Sequence, residues 1–186
     1  IVAVDPSFIM LGQVSDSRVR RILGSADSPE ALDQVVGGSV DVVTSFGGIH
    51  HVRDQLTMMR EVARMLRPGG QFTAADVCAG TSLARHFDEV VAHKCLTGHA
   101  ANWLCEERLR SLVMGLPLLL DRTELVHLNW MFNSETEMAL FLKGLHAYDC
   151  PESEIIVDLQ QTLGYREEGG QILLDWPMIF FRFLRE

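Results

Sequence analysis

Short apolar runs and amphipathic stretches alternate along the first half of the chain. Ile1 to Val4 is a strand-like run ending in Asp5-Pro6, and Ser7 to Val14 follows as a short helix. Val19 to Leu23 reads as the next strand. After the loop Gly24-Ser25-Ala26-Asp27, Ser28 is an N-cap and Pro29 the first residue of a helix reaching Val36. Gly37-Gly38 breaks that helix and leads into Val40 to Phe46, a β-branched run of the kind found in buried parallel strands. Asp54 starts an amphipathic helix with Leu56, Met59, Val62, Ala63 and Leu66 on one stripe. Arg60, Arg64 and Arg67 take its other side, and Pro68-Gly69-Gly70 stops it. Gln71 to Val77 is a further strand. Strands and helices alternate here at βαβ spacing, which predicts an α/β fold with a parallel, doubly wound sheet.

The second half has a different pattern. Residues 81–151 show helical periodicity and no convincing strand, with helices expected around Leu83 to Lys94, around Trp103 to Leu109, and from Asp121. Ser134-Glu135-Thr136-Glu137 is a capping box that opens another helix. So long a helical section is more than a crossover needs and reads as a lid or partner surface. Pro151 to Leu163 is a final helix stopped by Gly164. Two strands follow, Tyr165 to Leu174 and Met178 to Leu184, turned through Asp175-Trp176-Pro177 and therefore antiparallel. The whole chain, 1–186, reads as one domain with residues 81–151 as a helical insertion.

Composition narrows the partners. A net charge of −9 argues against nucleic acid as a bulk electrostatic partner, and the longest apolar run, Leu112 to Leu120, is too short to span a bilayer. Cys78, Cys95, Cys105 and Cys150 form no CxxC, a pattern of reduced thiols. With no secretory signal visible, the expectation is a cytoplasmic protein. His93, Cys95 and His99 offer only two or three scattered ligands, so no metal site is expected.

Ligands of open α/β sheets sit at the carboxyl ends of the strands, so Ser45 to His51 are expected to line a pocket. Asp5 ends the first strand, where a carboxylate either accepts from a ribose diol or caps the next helix. Asp27 either holds an exocyclic amine or stands as a loop acid. His50 and His51 are the candidate bases, with helix capping or packing as the alternative. His86, His99, His127 and His146 in the helical section either reach the pocket from above or, taken individually, read more often as surface residues. Trp103, Trp130, Phe132 and Phe141 suit an apolar acceptor pocket, though at helical spacing such residues are more often plain core.

The ordered set resembles the class I S-adenosylmethionine-dependent methyltransferases from that family's second strand onward. Its pieces are Val2-Ala3-Val4-Asp5-Pro6-Ser7, Gly24-Ser25-Ala26-Asp27, Asp41-Val42-Val43-Thr44-Ser45 with His50-His51-Val52, the run Arg60 to Gly70 ending in Leu66-Arg67-Pro68-Gly69-Gly70, and Leu163-Gly164-Tyr165. The resemblance implies a Rossmann-like sheet, mostly parallel with an antiparallel last strand, and a helical insertion after the fifth strand. It implies S-adenosyl-L-methionine as cofactor, with Asp5 and Pro6 at its ribose, Ala26 and Asp27 beside its adenine, and Ser45 and Phe46 under its methionine moiety. Catalysis would fall to His50 and His51, and acceptor binding to Trp103, Trp130 and Phe132. The expected activity is methyl transfer to a small molecule, with neither nucleic acid nor membrane as partner and a homodimer formed through the helical section.

One departure stands out. The family's first strand and glycine-rich loop do not occur here, and the chain opens inside a strand. A further segment upstream is therefore expected, and without it both flanking strands would carry unpaired backbone. The alternative is a methyltransferase-like binding or assembly domain without catalysis. An NAD-dependent oxidoreductase is disfavoured by the closing hairpin and the Leu-Arg-Pro-Gly-Gly run.

Overall fold

The computed structural model describes all 186 residues, Ile1–Glu186. They fall into two compact units. Unit 1 comprises Ile1–Ala75, Glu106–Thr123 and Phe181–Glu186; unit 2 comprises Asp76–Cys105 and Glu124–Phe180.

Unit 1 opens with β1 (Val2–Asp5), α1 (Phe8–Gly12), β2 (Arg20–Leu23) and α2 (Pro29–Leu32). β1 and β2 form a small parallel sheet, with Asp5 opposite Leu23. β3 (Val40–Phe46), a 3-10 turn (Ile49–His51), α3 (Gln55–Met65) and β4 (Leu66–Val77) follow. β3 pairs with β4 in parallel, from Val42 opposite Gln71 to Phe46 opposite Ala75. α3 ends at Met65, two residues before the predicted stop. Pro68 disfavours the helical conformation at Arg67, so the chain runs extended from Leu66. Gly70 then passes close under β3: a Cβ there would sit 3.0 Å from the Asp41 carbonyl oxygen. This close approach is what the glycine of the Leu-Arg-Pro-Gly-Gly run allows.

The larger sheet has the order β3-β4-β7-β5, with β6 beside β7. The parallel sheet predicted as one piece is therefore two. β1 pairs only with β2, and β3 pairs only with β4. Val4 and Val40 nonetheless pack on one core cluster, Ile22, Leu32, Val35 and Met65. Arg64 was predicted on the solvent side of α3. Instead it ties α3 to α2, donating from Nη2 to the Leu32 carbonyl (2.9 Å) and from Nη1 to that of Val35 (2.8 Å). Leu32 is the last residue of α2 and Val35 lies in the turn just after it, so the guanidinium staples this turn to α3.

Residues 81–151 depart most from the sequence reading. The helices α4 (Ser82–His86), a π turn (Phe87–Val91), α5 (Ala92–Lys94) and α6 (Glu106–Leu112) are there, but Leu118–Phe132 is a strand of 15 residues, β5. Asp121 caps no helix. It sits in β5 and accepts from the Arg182 guanidinium (2.7 Å). Leu128, Trp130 and Phe132 alternate with the exposed His127, Asn129 and Met131, a strand period hidden by the charged residues at its start. Trp103 and Leu104 also fall outside a helix; Leu104 bridges Cys78 instead.

α7 (Glu135–His146) begins at the capping box: Ser134 Oγ accepts from the Glu137 amide (3.1 Å), while the Glu137 carboxylate accepts from the Asn133 amide (2.7 Å). α7 packs on α8 (Glu152–Thr162) through Met138, Leu142, Ile155 and Leu159, all buried. The closing hairpin is antiparallel as predicted, but its turn is Gly169-Gly170, between β6 (Tyr165–Glu168) and β7 (Gln171–Arg185). Both glycines have positive φ (61° and 78°), as a two-residue hairpin turn demands. β7 runs straight through Asp175-Trp176-Pro177, so the predicted turn there is absent.

Candidate functional site

In unit 1 the carboxyl ends of β2 and β3 are joined by one carboxylate. Asp27 accepts the Asp54 backbone amide (3.0 Å) at one oxygen and the Ser25 hydroxyl at the other. The Ser25 bond, then the Asp54 amide, holds the Asp27 carboxyl below the usual carboxylate range. Each oxygen keeps a second lone pair, so this bonding leaves room for an amine. Asp5, at the end of β1, uses Oδ1 to accept the Ser7 amide (2.7 Å). Ser7 is itself the N-cap of α1, so Asp5, two residues before it, does not cap the helix. Pro6 is exposed, and Ala26 is half-buried.

β3 ends in a half-buried Ser45 and a Phe46 that is 68% exposed. The Gly47 amide donates to the Ala75 carbonyl (2.8 Å), so the chain leaves the sheet here and turns through Ile49–His51. His50 is buried (4% exposed) and His51 exposed, with their rings 4.0 Å apart. Gln55, which the sequence reading passed over, braces this turn. Its Nε2 donates to the Ile49 carbonyl (3.2 Å), and its Oε1 accepts from Arg108 Nε (2.7 Å). The available signal was a glutamine at the helical spacing of the apolar stripe, ahead of Met58, Met59 and Val62. Gln55→Ala should cost about 1 kcal/mol or more of stability, read by urea denaturation, because the buried amide's bonds to the Ile49 carbonyl and to Arg108 are both lost.

The predicted acceptor residues lie in unit 2. Trp103 packs on Phe87 (5.6 Å between ring centroids), Phe87 on Trp176 (6.0 Å), and Trp176 stacks on Trp130 (4.4 Å). Phe132 joins through Phe141, which also touches Trp130. The three residues thus belong to one aromatic network whose hubs, Phe87 and Trp176, were not picked from the sequence. Beside it, the Trp103 indole donates to Asp88 (3.0 Å), and a cavity of about 430 Å³ opens between Trp103, Thr81, Arg85 and Glu89.

His86 and His146 are not the surface residues predicted. His86 is fully buried: Nδ1 lies 2.7 Å from Thr162 Oγ1 and Nε2 3.0 Å from the Tyr148 hydroxyl. The Thr162 hydroxyl donates to the Asp158 carbonyl (2.7 Å), so it accepts from His86 Nδ1–H, and Tyr148 donates to Nε2. Burial, reinforced by His146 and Lys94, pushes His86 down to about 3, and burial pushes the Tyr148 hydroxyl up, so both stay neutral. His127 is exposed and pairs with Asp175 (2.8 Å). Asp76, at the end of β4, is fully buried and accepts the Val77 amide (2.7 Å).

Residues 1–74 match the methyltransferase domain family model. Two solved structures superpose over nearly the whole chain. A candidate methyltransferase of Bacillus halodurans covers 98% of this chain and 81% of its own, with TM-score 0.69 and 16% identity. The YcgJ protein of Bacillus subtilis covers 100% and 82%, with TM-score 0.67 and 15% identity.

The fold is that of the class I S-adenosylmethionine-dependent methyltransferases.

Within this methyltransferase fold, the curated relative methyltransferase gedG of Aspergillus terreus is 42% identical over 59 residues, 32% of this chain and 17% of that protein. The [4+2]-cyclase SpnF also shares the fold, at TM-score 0.60 and 14% identity over 100% of this chain and 65% of its own. No helix of the chain is long and apolar enough to cross a membrane.

Proposed function

We propose that this chain is an S-adenosylmethionine-dependent methyltransferase acting on a small-molecule acceptor. The observation that carries the reading is the grouping at the strand ends of unit 1. Asp5 ends β1 with Pro6 after it, Ala26 and Asp27 follow β2, and Ser45 and Phe46 end β3 ahead of His50 and His51. The match of residues 1–74 to the methyltransferase domain family supports it.

The cofactor supplies an electrophilic methyl group on a sulfonium when bound. Asp5 has one carboxylate oxygen on the Ser7 amide and offers the other to a ribose hydroxyl. Ala26 and Asp27 flank the adenine, Ser45 and Phe46 the methionine end. Displacement at carbon draws its acceleration mainly from positioning, and a base serves only an acceptor that must lose a proton. His50 and His51 are the catalytic pair of this reading: His51 meets solvent-borne acceptors, and the buried His50 holds it from 4.0 Å away. Trp103, Trp130 and Phe132 bind the acceptor. The net charge of −9 supports a small acceptor over nucleic acid. Four free cysteines support a reducing, cytoplasmic setting. Exposed Leu140, Phe141 and Leu145 on α7 support a homodimer through residues 81–151.

A second reading, a binding or assembly domain without catalysis, is favoured by β1 pairing only with β2 and β3 only with β4, which leaves one edge of each strand unpaired. Calorimetric titration with S-adenosylmethionine separates the two. Saturable binding that Asp5→Ala weakens about tenfold or more is expected for the enzyme, as a lost hydrogen bond to a charged group implies. No binding by the native full-length protein would leave only the second reading. His51→Ala should lower turnover while leaving cofactor affinity nearly intact.

A further inference from the structure

We infer that unit 2 carries a subsite for an aromatic hydroxyl compound, whose ring packs against Phe87 and Trp176 and whose hydroxyl hydrogen-bonds to Nε2 of His146. The starting observation is that Nε2 of His146 is shielded from solvent and has no hydrogen-bond partner. Buried polar atoms in folded proteins are nearly always paired, so an unpaired one marks a place for a ligand or an ordered water.

The surroundings select the ligand. The His146 ring lies 5.2 Å from Phe87, edge to face, 6.3 Å from Trp176 at 11°, and 5.4 Å from Tyr148. Trp130 stacks behind Trp176. Flat apolar walls of this kind favour a planar aromatic ring over an aliphatic one. A charged ligand would be desolvated against those rings without an ion partner, so the ligand is neutral. His146 is neutral too: burial, with His99 beside it, pushes the imidazole down to about 4. A neutral imidazole presents either a lone pair or an N–H at Nε2. A hydroxyl satisfies both tautomers, because it donates and accepts. The same unit already contains this pairing, between the Tyr148 phenol and His86 Nε2 at 3.0 Å.

Access and local backbone agree. His146, His99 and Trp103 are half-buried and Phe87 and Trp176 buried; Trp103, which packs on Phe87 and stacks on His99, also lines the open cavity beside Thr81 and Arg85. Phe87 also opens the π turn Phe87–Val91, a widened helical turn of the type enriched at functional sites. Identifying this ligand with the methyl acceptor rests on the methyltransferase reading; the subsite itself does not.

The test is calorimetric titration of the full chain, without cofactor, using 2-naphthol and naphthalene. The hydroxyl should make 2-naphthol roughly 5- to 10-fold tighter. His146→Phe should bring the two probes within about a factor of two, and His146→Gln, which keeps a donor and an acceptor, should retain the preference. Equal affinity of the wild-type chain for both probes, as for an Nε2 served by water alone, overturns the inference. So does a preference that survives His146→Phe. If His146→Phe does not fold, the ¹⁵N shift of His146 Nε2 in the wild-type chain decides: it should move on saturation with 2-naphthol, and an unmoved shift overturns the subsite. Failure to bind S-adenosylmethionine with the naphthol preference intact would remove the methyl-transfer reading alone.

Discussion

Lowering the pH from 7 to 5 should destabilise unit 2 by about 2 kcal/mol through His86 alone, and by about 4 kcal/mol at pH 3. The folded-state value is about 3 against 6.5 for an unperturbed histidine, so between those limits the unfolded chain binds a proton that the folded chain does not. Stability from neutral His86 is therefore fully present above pH 6.5 and is lost as pH falls toward 3. His146, at about 4, acts in the same direction over a narrower window. Asp27, held below the usual carboxylate range, adds its own loss only below about pH 4. The cause is structural: a protonated His86 could no longer accept the Tyr148 hydroxyl, and its positive charge would sit near His146 and Lys94. Thermal melts between pH 4 and 8 check this. His86→Gln should lower the melting temperature at pH 7 and flatten its dependence on pH. A wild-type melting temperature that stays level from pH 7 to 5 would contradict the assignment.

The second large effect is expected in unit 1. Phe183 on β7 is fully buried, stacks on Phe72 of β4 at 6.3 Å, and meets Phe181 edge to face at 5.7 Å. Phe183→Ala should cost about 3–5 kcal/mol, because both the transfer energy of the ring and a cavity are lost. For a chain of this size that is a fall of roughly 10 °C in melting temperature. Phe72 lies opposite Val43 in the β3–β4 register, so the same ring stack supports the strand that ends in Ser45 and Phe46. On the proposed reading, in which Ser45 and Phe46 flank the cofactor, affinity for S-adenosylmethionine should fall in Phe183→Ala, while Phe183→Leu should recover most of both quantities. Chemical denaturation and calorimetry on the two variants provide the comparison.

Legibility in the sequence followed interaction range. β1 to β4, the N-caps Ser7 and Asp54 and the capping box at Ser134 were all readable, because each depends on residues within a few positions. The strand-end candidates Asp5, Asp27, Ser45, Phe46, His50 and His51 followed from the βαβ pattern, which places loops at one edge of a parallel sheet. β5 was missed because Asp121, Arg122 and Glu124 interrupt its alternation, and pairing with β7 fixes it as a strand. The hairpin turn moved from Asp175-Pro177 to Gly169-Gly170 because two left-handed residues make the tighter reversal.

By itself the sequence determined an acidic α/β chain with polar and aromatic residues at its strand ends. Only the tertiary structure decided that Asp27 clamps two loops, that Gln55 braces the His50-His51 turn, and that the predicted sheet is two sheets over a shared core. It alone turned His86 and His146 from surface candidates into buried, neutral imidazoles within an aromatic network. The physical reason is that burial, desolvation and hydrogen-bond partnership arise from residues far apart in the chain. His86 meets Thr162 and Tyr148, and no local pattern around it records either.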